Sequence, residues 1–102
     1  MVNLSGPPKH SEAVIYRVVD GEAILLNLDN GYYYSLNPLG SEVWAMCDGT
    51  HPLRSIVEQM CAEYDVAWDQ AQRHVLELIH DLQREGLVTI HGLEAETRPA
   101  AR

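Results

Sequence analysis

The chain has 102 residues, enough for one domain and too few for two. Its net charge of −8 argues against nucleic-acid binding, because affinity for nucleic acid comes from neutralising phosphates. No apolar run approaches the ~20 residues that span a bilayer, and the N-terminus lacks the basic and apolar regions of a signal peptide. We therefore expect a soluble cytoplasmic protein with basic or neutral partners.

The two ends of the chain lack the periodicity of helices and strands. Residues 1–11, MVNLSGPPKHS, contain a glycine and two prolines and predict a flexible arm. Residues 92–102, GLEAETRPAAR, are polar and predict a flexible tail. The folded domain is then expected over residues 12–91.

The first third of the domain predicts three antiparallel strands. Apolar runs at 13–19, 22–28 and 32–36 are separated by the turn signals DG at 20–21 and DNG at 29–31. Alternation places Ile24, Leu26 and Leu28 on one face of the second strand. In the third, it places Tyr32, Tyr34 and Leu36 on one face and Tyr33 and Ser35 on the other.

The rest of the domain predicts three helices. Asn37 caps the first, which Pro38 begins and the DG at 48–49 ends. Thr50 is expected to cap the second, with Pro52 in its first turn. The third begins near Ala67 or Trp68 and ends at 85, before a C-terminal glycine at 86. Residues 87–91, LVTIH, predict a short final strand or wing, so the fold class is α+β, a winged-helix-like arrangement with its sheet first.

The third helix has more apolar surface than one stripe requires. Residues 71, 75, 78 and 82 (Ala, Val, Leu and Leu) are spaced as a core stripe. Leu76 and Ile79 do not fit this stripe and are predicted to form a separate flank with Trp68, Gln72 and Gln83. An alternative is that Leu76 and Ile79 pack on the N-terminal arm or on a second copy.

The run of tyrosines at 32–34 also has two interpretations. Aromatic side chains on both faces of a strand are unexpected where only one face is buried, which favours a binding role. Alternatively, Tyr32 and Tyr34 belong to the core and Tyr33 shields the outer face, since tyrosine is a favoured strand residue.

The sequence offers no positive sign of catalysis or of a cofactor. The five histidines and two cysteines have no metal-ligand spacing, and neither a nucleophile motif nor a phosphate-binding glycine loop is present. Cys47 and Cys61 are interpreted as small apolar residues rather than a disulfide. We expect a protein that is not an enzyme and that holds neither metal nor cofactor.

A combination of segments resembles the PqqD family of peptide-modification chaperones, whose domain is the RiPP precursor peptide recognition element. The segments are GYYYSLN, PLGSEVW, an acid–glycine stop, LRSIVEQMCAEYDV and VLELIHDLQREGLV. The resemblance covers about residues 13–90.

The resemblance implies that the domain binds the leader of a ribosomally made precursor peptide. The leader would add as a strand to the edge Gly31–Leu36 and rest in a groove against the third helix. Its expected contacts are Gly31, Tyr32, Tyr33, Tyr34, Ser35 and Leu36 on the strand, and Trp68, Gln72, Leu76, Ile79 and Gln83 on the helix. The peptide would be presented to a radical-SAM enzyme or a leader peptidase, in pyrroloquinoline quinone or a related pathway.

Two other functions fit parts of the sequence. The helical half resembles a winged-helix DNA-binding regulator, although its third helix is acidic. A dimerisation module is the other alternative, since an exposed strand edge can pair with itself or swap between chains.

Overall fold

The computed structural model describes residues 7–90 as a small sheet packed against three helices. Its elements in chain order are β1 (Pro8–His10), β2 (Val14–Val19), β3 (Glu22–Asn27), β4 (Tyr33–Ser35), α1 (Pro38–Ala45), α2 (Leu53–Tyr64), α3 (Trp68–Arg84) and β5 (Val88–Ile90). The α+β fold with three strands followed by three helices is confirmed, and the winged-helix likeness is a loose description. The C-terminal tail from 92 onward lies outside the described residues.

The three-stranded sheet has the order β2-β3-β4, with both pairs antiparallel. A two-residue turn joins β2 to β3, where Asp20 and Gly21 take φ values of 53° and 80°. Buried Ala23 and Leu25 face the helices. The other face of β3, with Ile24 and Leu26, is therefore the outer face, and Ile24 on it and Leu28 just after the strand are exposed.

A second, two-stranded sheet forms where the sequence predicted part of a flexible arm. Lys9 of β1 pairs with Thr89 of β5, and Pro8 is fully buried. His10 stacks on the indole of Trp44 with ring centroids 3.7 Å apart, and its Nε2 donates to the Trp44 carbonyl at 2.7 Å. The prediction of a flexible arm is thus wrong for residues 8–10, whose partners lie far away in sequence, whereas the predicted final strand is confirmed.

The starts of α1 and α2 differ in their capping. The Asn37 side chain accepts a hydrogen bond from the Gly40 amide at 2.7 Å, which confirms the predicted cap of α1. Thr50, however, donates its amide and hydroxyl to Asp48, and α2 begins three residues later with Pro52 as N-cap. The predicted Thr50 cap is wrong. Those hydrogen bonds from Thr50, together with His51, lower the pKa of Asp48 to about 2.

The buried stripe of α3 is rotated relative to the predicted one. Ile79 is fully buried in the core, together with Ala71, Val75 and Leu82, whereas Leu78 is half-buried at its margin. The expectation that Ile79 lies outside the core is therefore wrong. Spacing alone allows a stripe through Leu78 or through Ile79, and the packing of α3 against α2 and β5 selects the stripe through Ile79.

Both cysteines are free thiols. Cys47 is buried, and desolvation, with a smaller contribution from the Asp48 charge, raises its pKa to about 12. Cys61 is half-buried and packs against the core. Cys47 thus behaves as the small buried residue that the sequence predicted.

Candidate functional site

The outer edge of β4 presents main-chain groups without a neighbouring strand in the described fold. Asn27 donates its amide to the Tyr32 carbonyl at 3.0 Å, and Leu36 donates to the Ala23 carbonyl at 2.9 Å. Residues 32 and 36 therefore direct their polar groups toward β3. Because these directions alternate along an antiparallel strand, the N–H and C=O groups of Tyr33 and Ser35 point away from the sheet. This edge can accept an added strand.

At one end of the β3–β4 pair, the Ser41 side chain replaces a direct main-chain hydrogen bond between the strands. The buried hydroxyl of Ser41 accepts a hydrogen bond from the Ala23 amide at 2.7 Å and donates to the Leu36 carbonyl at 3.1 Å. It thereby bridges two groups that would otherwise bond directly across the strands. The pairing of β4 with β3 therefore ends at Leu36. From there the chain leaves the sheet and leads through Asn37 into α1, beside an open space.

That space is a groove of about 620 Å³ between β4, the three helices and the loop before α3. We call it the β4–α3 groove. Its residues are mostly apolar: Ser35, Leu36, Asn37, Leu39, Gly40, Val43, Met60, Tyr64, Val66, Gln70, Ala71, His74, Val75 and Leu78. Its volume lies in the range of ligand pockets, roughly 300 to 1,000 Å³. The groove begins at the open edge of β4, so a strand added there would have side chains next to it.

The opposite end of β4 is tied to α3. The Tyr34 hydroxyl donates to a carboxylate oxygen of Glu85 at 3.1 Å. The buried Asn27 side chain donates to the Glu85 carbonyl at 3.1 Å and accepts from the Asp29 amide at 2.8 Å. These bonds satisfy groups at the C-terminal end of α3. The bond from Tyr34 also ties β4 to Glu85, the residue that follows α3.

Two titratable side chains occur among the described residues that line the groove, Tyr64 and His74. A hydrogen bond to Glu42, with smaller effects of desolvation and nearby negative charge, raises the pKa of Tyr64 above its ordinary value. The Tyr64 hydroxyl is therefore neutral across the physiological pH range. The groove can hold apolar side chains while His74, Gln70 and Tyr64 offer polar groups.

The strand residues predicted for the site lie at the β4 edge or its turn. Gly31 takes a φ of 75° in the turn, where Tyr32 donates its amide to the Asn30 side chain at 2.9 Å. Tyr33 is 72% exposed on the outer face. Tyr34 points inward, whereas Ser35 and Leu36 line the groove.

The helix residues predicted for the site lie on a different side of α3. None of the five residues Trp68, Gln72, Leu76, Ile79 and Gln83 lines the groove. Trp68 lies under the guanidinium of Arg54 on α2, 5.7 Å from its ring centroid. The α3 residues that do line it are Gln70, Ala71, His74, Val75 and Leu78. Sequence reasoning missed Gln70 and His74 because it judged the flanks by apolar content, and these two side chains are polar.

Within residues 7–90 no three side chains of metal-binding type gather in one place, and no helix is both long and apolar enough to cross a membrane.

Comparison with known proteins identifies relatives of this architecture. The family model described as coenzyme PQQ synthesis protein D (PqqD) matches residues 22–88. The structure of TbiB1 in complex with the TbiA(beta) leader peptide is similar, with 31% sequence identity and a TM-score of 0.75 over 82% of this chain and 95% of that one. A lasso peptide synthetase B1 complexed with the leader peptide shares the fold, with 19% identity and a TM-score of 0.74 over 81% and 98%. A search of curated proteins gives no match.

Proposed function

Since this chain belongs to the PqqD family, we propose that it binds the leader segment of a ribosomally made precursor peptide as an extra strand on the free edge of β4. The observation that carries the proposal is the adjacency of two features. The outward main-chain groups of Tyr33 and Ser35 lie beside an apolar groove of about 620 Å³.

Strand addition divides affinity and selectivity between these two features. The main-chain groups of Tyr33 and Ser35 bond any extended peptide, whatever its sequence. Successive side chains of the added strand point to opposite faces, so every second one enters the β4–α3 groove. There it meets apolar residues such as Leu36 and Leu78. The similarity to TbiB1, solved with a leader peptide, supports this mode of binding.

The protein acts as a binding partner rather than as a catalyst in this proposal. It holds the leader while a separate modifying enzyme, a radical-SAM enzyme or a leader peptidase, acts on the rest of the precursor. Leader recognition takes place in the cytoplasm, where ribosomes release the precursor. The product is pyrroloquinoline quinone or another modified peptide.

The DNA-binding alternative is not favoured. The exposed side chains of α3 include Asp69, Glu77 and Asp81, which would repel phosphates. The nearby Arg84 lies 3.1 Å from the carboxylate of Asp81, so part of its charge is offset.

The direct test is amide hydrogen exchange measured by NMR with and without peptide. The probes are the TbiA(beta) leader and the leader of a precursor encoded beside the gene of this chain. We expect the amides of Tyr33 and Ser35 to become protected, because each would donate to the added strand. The amides of Tyr16 and Val18, at the other edge of the sheet, serve as the internal control. Tight binding of the cognate leader without protection at Tyr33 and Ser35 would contradict strand addition at β4.

A further inference from the structure

The β4–α3 groove has two ends that differ in character. Leu36 and Leu78 lie at the end beside β4, where a Cβ placed on Gly40 would be 3.5 Å from Leu36 and 3.7 Å from Leu78. Tyr64, the last residue of α2, and Gln70, in the first turn of α3, line the other end. The rise along α3 from Gln70 to Leu78 separates the two ends by about 12 Å. About four residues of an extended peptide cover that distance.

The lining of the groove contrasts with the rest of an acidic chain. Among the described residues that line it, none is aspartate, glutamate, lysine or arginine, although the chain has a net charge of −8. The lining therefore favours apolar side chains, as the proposed function requires. Any carboxylate that selects a leader by its charge must lie beside the lining rather than in it.

Glu42 of α1 is such a carboxylate. It comes one residue before Val43 and three after Leu39, and both of these neighbours line the groove. Residues three apart lie on the same side of a helix, so Glu42 borders the groove. Its Oε1 atom is buried and accepts no hydrogen bond from any described residue. Because nearly all buried polar atoms in folded proteins are paired, this oxygen is suited to a hydrogen-bond donor that arrives with a ligand.

Tyr64 connects Glu42 to the groove. Its side chain lines the groove and is 41% exposed, and its hydroxyl interacts with the Glu42 carboxylate. That interaction, followed by desolvation and by the charges of Glu42 and Glu63, raises the pKa of Tyr64 above its ordinary value. Glu63 lies in the last turn of α2, where the helix dipole adds negative charge and where that turn has no basic side chain to offset it. This end of the groove therefore attracts positive charge.

Given the leader binding proposed above, we propose that the Tyr64 end of the groove accepts a lysine or arginine of the leader and that Glu42 selects it. The aliphatic stem of the basic residue lies along the apolar lining, and its charged group packs on the exposed ring of Tyr64 and donates toward Glu42. Because the two ends are about 12 Å apart, the basic residue lies within about four residues of the one that pairs with Ser35. Leaders that lack this basic residue bind more weakly.

A role in selection and a role in folding predict opposite effects of Glu42→Gln on stability. An unpaired buried carboxylate oxygen destabilises the free protein. Glutamine removes the charge and keeps the shape, so urea denaturation should show a free protein at least as stable as wild type. Leader affinity should nevertheless fall. A clear loss of stability in Glu42→Gln would show that Glu42 supports the fold and would contradict the proposal.

Isothermal titration calorimetry at constant pH, with the leader of a precursor encoded beside the gene of this chain, measures the selection. We expect Glu42→Gln to weaken binding about tenfold, because it removes a hydrogen bond between charged groups. Glu58→Gln is the matched control: it removes the same charge from an exposed position on α2 that does not line the groove. It should change the affinity less than about twofold. Equal affinities of the two variants would overturn the proposal.

A second titration identifies the basic residue of the leader. Each lysine and arginine of the peptide is replaced singly by glutamine, and every peptide is titrated into wild type and into Glu42→Gln. One replacement should weaken binding to wild type about tenfold and have little further effect on Glu42→Gln, because both changes remove the same contact. If no basic residue is coupled to Glu42 while wild type still binds the leader, selection by charge is refuted and strand addition stands. If wild type does not bind the leader at all, the proposed function itself fails.

Discussion

The two edges of the β2-β3-β4 sheet have the same main-chain chemistry and different surroundings. The β4 edge is three residues long and lies beside an apolar groove that the helices build. The β2 edge is six residues long, and none of its residues lines that groove. Main-chain hydrogen bonds are the same for any added strand, so the side chains that line a groove determine which peptide sequence is selected. An edge with a groove can select a peptide by its side chains, whereas an edge without one offers main-chain groups alone.

The largest expected effect is unfolding of the whole domain, which would abolish both strand edges. Ile79→Glu places a carboxylate at a fully buried position, where an uncompensated charge costs about 3 to 5 kcal/mol. We expect this variant to be largely unfolded by circular dichroism or to melt far below wild type. His80→Glu adds the same carboxylate one residue later at an exposed position and should stay within about 0.5 kcal/mol. A stable, folded Ile79→Glu protein would show that the core stripe described above is incorrect.

Two proline substitutions, one in each edge strand, test whether leader binding depends on β4 and not on β2. Ser35→Pro removes an outward N–H of β4 while leaving the bonds to β3, and should weaken leader binding at least tenfold, which corresponds to about 1.4 kcal/mol. Val18→Pro makes the equivalent change at β2 and should leave leader affinity unchanged. Fluorescence anisotropy with a labelled leader measures both. Equal losses in the two variants would mean that the edges do not differ in the way proposed.

Two leucines of α3 test which flank of the helix faces the peptide. Leu78 lines the β4–α3 groove and Leu76 does not, yet both are half-buried. Leu78→Glu should lose the burial of an apolar side chain on binding, roughly 1.5 to 3 kcal/mol, and so weaken leader affinity at least tenfold. Leu76→Glu should bind nearly as well as wild type, provided that circular dichroism shows both variants folded. The reverse result would restore the flank that the sequence predicted.

The smallest expected effect concerns the tie between β4 and α3. Tyr34→Phe removes the hydroxyl that donates to Glu85, and a hydrogen bond of this kind contributes about 0.5 to 1.5 kcal/mol. Urea denaturation should show a loss of this size. Tyr33→Phe is the control, because Tyr33 is 72% exposed and forms no hydroxyl hydrogen bond in the described part of the chain. An equal loss in both variants would indicate a general effect of the hydroxyl rather than the tie to Glu85.

Local signals in the sequence were sufficient to predict most elements. The turn residues at 20–21 and 29–31 and the cap at Asn37 act over a few residues, so their effects could be predicted without knowledge of the fold. The resemblance to the PqqD family rested on such segments too, and the family match over residues 22–88 confirms it. The short β1 strand was missed because its partner is β5, about 80 residues later in the chain.

The candidate site was determined by the sequence only on its strand side. Alternation along one strand is a local property, so the separation of Tyr33 from Tyr34 followed from the sequence. On α3, residues that can face the core span more than one stripe, and periodicity cannot say which of Leu78 and Ile79 lies innermost. Tertiary packing made that choice by burying Ile79 and leaving Leu78 at the groove. A helix takes its rotation from the surface it packs against, and that surface is built by residues distant in sequence.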